Sequence, residues 1–159
     1  MNGPTILLFM HPTFGVLAIM ASVWVFVEAL NASERNASRL RLGGMVVAVC
    51  IFASYVLGGY WYTHFYGPEK AIILKGPIPW AHDLIMETKE HAFFIPLILG
   101  LYLAMVTREK LVNNPTARAM VLSVAALIFL SGFAIEGAGA IINFGVKAAL
   151  MSTGVQGGE

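Results

Sequence analysis

Four apolar stretches, at positions 9–28, 43–62, 87–106 and 119–139, leave this chain few ways to fold. Each is about 20 residues long, which at 1.5 Å per helical residue crosses a hydrocarbon core of roughly 30 Å. Only 12% of the residues are charged, about half the share of a soluble domain. The expected fold is therefore all-α, an integral membrane four-helix up-down bundle lying in the lipid bilayer. The 159 residues read as a single transmembrane domain with no room for a separate soluble catalytic unit. The connection 67–86 reads as an outer loop and 147–159 as a short outer C-terminal tail. The N-terminus lacks the basic region of a signal peptide, so the first span is expected to be retained. A net charge of +1 argues against a nucleic-acid partner. Cys50, alone in an apolar run, offers no disulfide framework.

Charge in the connections sets an orientation. Arg35, Arg39 and Arg41 precede the second span, and Arg108, Lys110 and Arg118 lie between the third and fourth. The other side carries Lys70, Lys75 and Lys147 against Glu69 and Asp83. The positive-inside rule places the richer side in the cytoplasm, with both termini periplasmic in a multi-pass protein of a bacterial inner membrane. Tyr60, Trp61, Tyr62, Phe65, Tyr66 and Trp80 read as an interfacial aromatic belt on the other side. The Asn31-Ala-Ser33 and Asn36-Ala-Ser38 sequons fall in a cytoplasmic connection and are taken as chance matches.

The histidines carry the functional signal. His11 opens the first span, His64 closes the second, and His82 and His91 stand at the start of the third, all on one side. Counted inward, His11, His64 and His91 share one depth layer, with His82 just above it in the loop and Glu136 of the fourth span level with it. In an up-down bundle each helix then offers one candidate ligand to a common pocket. Gly15, Ala18 and Ser22 form a small-residue stripe below His11, against which a flat cofactor or a close helix fits. Gly132, Glu136, Gly139 and Asn143 make a similar face on the fourth helix. Pro96 is expected to kink the third.

Plainer roles compete with this picture. Single interfacial histidines commonly snorkel or cap, small-residue stripes commonly pack helices, and Glu136 has Lys147 as an alternative partner. Polar residues in hydrocarbon are nevertheless costly and tend to be retained for a task.

Bis-histidine ligation of one haem b suits such a layer, with two neutral imidazoles meeting opposite faces of a porphyrin. His11 and His91 are the preferred iron ligands, His64 the substitute, and His82 and Glu136 the lesser candidates. Lys89, with Lys70 and Lys75, would neutralise propionates. Trp61, with Tyr62 and Trp80, would stack against a quinone. The absence of Cys-x-x-Cys-His makes any haem non-covalent. Histidines with Glu87, Glu90 or Glu136 would also suit a non-haem metal, although Glu87 to His91 is one residue too long for the Glu-x-x-His of di-iron bundles. A proton relay through Glu136 is the remaining chemical reading.

With His11-Pro12 opening the first helix, Tyr62-Thr63-His64 closing the second and Lys89-Glu90-His91-Ala92 entering the third, the chain resembles small bacterial four-helix b-type cytochromes. It is also similar to four-helix membrane proteins that accompany respiratory cytochromes and oxidase assembly. The resemblance implies haem b and electron transfer between the quinone pool and an outer redox partner such as a c-type cytochrome. The chain would then be an electron-transfer subunit of a larger membrane redox complex rather than a stand-alone enzyme. The alternative is a non-catalytic structural or assembly subunit whose histidines cap helices.

Overall fold

The computed structural model describes residues 3–152 and Gly154. Helix α1 (Gly3–Leu30) is followed by α2 (Ala37–Phe65) and by a short α3 (Gly67–Lys75). The third span comes in three pieces: a π-helical segment (Ala81–Met86), α4 (Glu87–Ala92) and α5 (Phe94–Val106). Helix α6 (Pro115–Ser152) completes the chain. Four of its helical stretches are long and apolar enough to cross a membrane, so the chain is an all-helical, multi-pass membrane protein.

Packing makes the four spans a square. Helix α1 packs on α2 and α6, and α5 packs on the same two, leaving α1–α5 and α2–α6 as the diagonals. On α1, Ala18, Ala21, Ser22, Val25 and Ala29 are buried, a helical stripe of mostly small side chains that lets neighbouring backbones approach. The outer surface is apolar instead: Ile98, Phe133 and Phe144 are 63–65% exposed. Exposure of large apolar side chains on that scale suits hydrocarbon rather than water.

The two ends are built differently. Where α1 turns into α2, the Glu28 carboxylate accepts from Asn36 Nδ2 at 2.7 Å and Trp24 Nε1 at 3.2 Å, and pairs with Arg39 at 3.1 Å. Asn36 Nδ2 also donates to the Glu28 and Asn31 carbonyls, while its Oδ1 accepts from the Ser33 amide. Arg118 donates to the Ala29 and Leu30 carbonyls, closing the C-terminus of α1 from α6. Asn36 is buried as part of this turn, which gives its sequon a structural reason.

The other end carries a cap that the sequence reading did not foresee. Positions 67–86, expected to be a loop, are largely helical. Pro68 sits in the first turn of α3, where its missing N–H costs nothing, and Ile73 is fully buried. Helix α6 runs on past 139 because Ile142, Gly145 and Ala149 continue a buried helical face, and α3 and the π segment pack on that extension. Residues 147–152 are accordingly helix rather than tail, while 153 and 155–159 lie outside the described residues. Of the expected aromatic belt, Tyr60 and Trp80 do face outward. Trp61, Tyr62 and Tyr66 turn inward and form a second core with Ile73, Ala81, Met86 and Ile142.

Pro96 breaks the third span as expected. It cannot donate to the Ala92 carbonyl, and α4 ends at that residue, with Phe93 as the joint to α5.

Candidate functional site

Polar side chains meet in the bundle interior just below the cap. The imidazole of His11 lies over Gly58 of α2, where an added Cβ would stand 2.5 Å from its Nδ1. Its Nδ1 is 2.8 Å from the Ser54 carbonyl and 3.1 Å from the Ser54 hydroxyl. A carbonyl only accepts, so Nδ1 carries the proton and Nε2 keeps its lone pair. Ser54 in turn donates its hydroxyl to the His11 carbonyl at 3.0 Å. This reciprocal pair ties α1 to α2 inside the membrane-spanning segment.

Glu136 reaches the same place from α6. Gly15 makes room for it: a Cβ there would collide with Glu136 Oε1 and stand 3.6 Å from the Ser54 hydroxyl. Between these groups is a cavity of about 30 Å³, lined by Gly15, Ser54 and Glu136 on its polar side and by Phe93, Pro96 and Ile135 among its apolar walls. That volume has room for one or two waters. From α4, Lys89 extends inward until its Nζ is 3.2 Å from the position of a Gly139 Cβ. Glu136 is the carboxylate whose field acts on Lys89, and Lys89 is the cation acting on both Glu136 and His11. Among the described residues the two charges do not close to a direct ion pair.

A second polar group lies in the cap. His82, expected in a loop, is 2% exposed. Its Nδ1 is 3.2 Å from the Tyr66 hydroxyl and its Nε2 3.6 Å from Glu87 Oε1. The π segment accounts for its placement: Ala81 and Met86, five residues apart, are buried together with it, as a wider turn requires. Tyr62 faces the carboxylates of Glu90 and Glu87, and Glu90 Oε1 is buried without a hydrogen-bond partner.

The common histidine pocket is not formed. His64 is exposed, with Nδ1 3.0 Å from the Tyr60 carbonyl and its ring stacked on Tyr60 at 4.2 Å. His91 is exposed as well, its Nδ1 2.7 Å from the Glu87 carbonyl one turn earlier. The cause is rotation about the helix axis. His64 is six residues past Gly58 and His91 two past Lys89, so each lies on a different face from the inward group on its own helix. Depth counted along the sequence is silent on that angle. Lys89 points into the bundle rather than towards surface propionates, and Trp61 packs on Tyr66 at 5.8 Å inside the cap core. Glu136 turns to Lys89, while Lys147 is exposed farther along α6. The small-residue stripe serves the close-helix role: Ala18 and Ser22 are buried against neighbours.

Within one chain His11 and His91 do not face a common space: His11 is held against Ser54, and His91 is exposed with its Nδ1 on the Glu87 carbonyl. The cavity of about 30 Å³ beside Gly15 is lined by neither imidazole, and a larger apolar hollow of about 400 Å³ opens beside Lys89, Ala92, Ile95 and Ile135. Among the described residues no group of three or more His, Cys, Asp and Glu side chains is placed to hold a metal ion. The residues that the sequence reading missed are Ser54, a lone hydroxyl in an apolar run, and Lys89 as an inward-facing cation. Comparison with protein-family models, curated proteins and solved structures gave no match.

Proposed function

We propose that this chain is a membrane subunit that handles protons through an interior site made of Glu136, Lys89, Ser54 and His11. The observation that carries this reading is the Glu136 carboxyl, which crosses the bundle to Gly15 and meets a water-sized cavity and a cation from a third helix. Ionisable groups at membrane depth that face a bundle interior commonly mark proton or ion pathways. In the proposed scheme Glu136 gains or loses the proton at a carboxyl oxygen. Lys89 offsets the negative charge from the α4 side, which limits the cost of an ion in a weakly polar interior. His11 Nε2, held in place by the Nδ1–H bond to Ser54, is the second position able to take a proton. The test is proton uptake by vesicles reconstituted with the protein and loaded with a pH-sensitive dye. Uptake that disappears in Glu136→Gln supports the site, and uptake identical in that variant rules it out.

The electron-transfer reading stays as a second proposal on one observation. His64 and His91 are exposed, each with Nδ1 anchored on a carbonyl, the arrangement that orients a metal-ligating imidazole. A haem would then need another chain to complete its site, in line with a subunit of a larger redox complex on a bacterial inner membrane. A reduced-minus-oxidised spectrum decides between them. A haem b band that vanishes in His91→Ala favours the second reading, and a colourless, proton-exchanging protein favours the first.

A further inference from the structure

We propose that the hollow between the third span and α6 binds one long-chain fatty acid, with its carboxylate on Lys89 and its alkyl chain between the helices. The inference goes beyond the proton-handling reading and does not depend on it. One helical stripe bounds the space on each side: Ile85, Lys89 and Ala92 face Ser131, Ala134 and Ala138. The short alanine and serine side chains leave about 400 Å³ of largely apolar space. Small-molecule sites run from roughly 300 to 1,000 Å³, so this volume suits one alkyl chain rather than the two of a phospholipid.

Charge selects the head of the ligand. Among the described residues Lys89 is the one charged group lining the hollow. Gly139 admits its amine, since a Cβ there would stand 3.2 Å from Nζ. Among the described residues that amine makes no direct ion pair, and an ammonium in a membrane-spanning segment is costly without one. A carboxylate in the hollow offsets the cost through a charge-assisted N–H···O bond. Glu136 acts on Lys89 from elsewhere: it lines the small cavity at Gly15 and not the hollow. The hollow itself thus offers a cation and no anion.

Register sets the direction of the chain. Ile95 also lines the hollow, roughly 9 Å farther into the span than Lys89 at 1.5 Å per residue. The carboxylate therefore sits towards the cap, and the alkyl chain runs inward past Ala92 and Ile95. The Ser131 hydroxyl is turned to the Leu127 carbonyl of its own helix at 2.7 Å, which keeps that wall apolar in effect. Among the described residues no aromatic ring lines the hollow. A flat quinone head finds nothing to stack on there, whereas an alkyl chain needs only apolar walls.

The experiment is photolabelling of the full chain in phosphatidylcholine vesicles with palmitic acid that carries a diazirine near its methyl end. Mass spectrometry is expected to find the label on residues lining the hollow, displaced by unlabelled palmitic acid. Lys89→Met should lower it about tenfold or more, as the loss of one charge-assisted bond implies, and Lys89→Arg should retain it. Ala134→Phe, which fills the hollow and keeps the cation, should lower it as well. Undiminished labelling in Lys89→Met and Ala134→Phe, with helix content retained, would overturn the site. Displacement by phosphatidylglycerol would assign the hollow to a lipid headgroup, and displacement by a quinone to a redox ligand; either overturns the fatty-acid proposal. Each of these failures leaves the proton site at Glu136 standing.

Discussion

The two ends of the bundle use polar residues in opposite ways. At the α1–α2 turn, Glu28 gathers Asn36, Trp24 and Arg39 at 2.7–3.2 Å, and Arg118 closes the last carbonyls of α1. Donors and acceptors are matched at short range, and the network fixes a turn. Towards the cap, Lys89 and Glu136 face each other without touching, a water-sized cavity lies beside them, and Glu90 Oε1 has no partner. Paired groups stabilise a fold, whereas groups held apart by packing remain able to exchange protons. On the proposed reading, the contrast separates stability from function along the same four helices.

That contrast can be broken at either end. The largest stability loss is expected from Asn36→Ala, which strips a buried side chain of bonds to the Glu28 carboxylate and to two carbonyls. Hydrogen bonds of this kind each contribute about 1 kcal/mol net, and unfolding in micelles should register about 2–3 kcal/mol while proton uptake persists. An unchanged unfolding curve would show that the turn network is decorative. The reverse is expected in the interior: the double variant Lys89→Met, Glu136→Leu should be as stable as wild type or more so, by about 1 kcal/mol or more, yet take up no protons. A marked loss of stability there would recast the pair as structural. The smallest effect is confined to alkaline pH. The Tyr66 phenol stands at about 12 against an ordinary 10, so its neutral form favours the folded state. That contribution is complete below pH 10 and fades as pH rises towards 12. Tyr66→Phe should flatten this part of the stability–pH curve, and a curve of the same shape in the variant would assign the loss to other groups.

What the sequence made legible follows from what is periodic. Four apolar runs suffice for the bundle, and Pro96 for the break at Phe93, because length and a missing donor act locally. Helix ends were read short, since apolar runs mark the hydrocarbon boundary while α6 continues on the spacing of Ile142, Gly145 and Ala149. Glu136 was visible as a carboxylate in an apolar run, and the small faces around Gly15 and Gly139 as close-packing surfaces. The azimuth of each histidine was not visible. It depends on a π turn at Ala81–Met86 and on which face each helix gives to its neighbours. Tertiary packing therefore sent His64 and His91 outward, buried His82, and drew Ser54 and Lys89 into the site.

The most direct test is the equilibrium infrared difference spectrum of the reconstituted chain across a pH titration, with Glu136→Gln as its control. A carboxyl band that titrates in the wild type and is missing in Glu136→Gln is the predicted result, and it would establish a proton-exchanging carboxyl inside the bundle. Identical difference spectra for the two proteins would contradict the account and return Glu136 to a packing role beside Gly15.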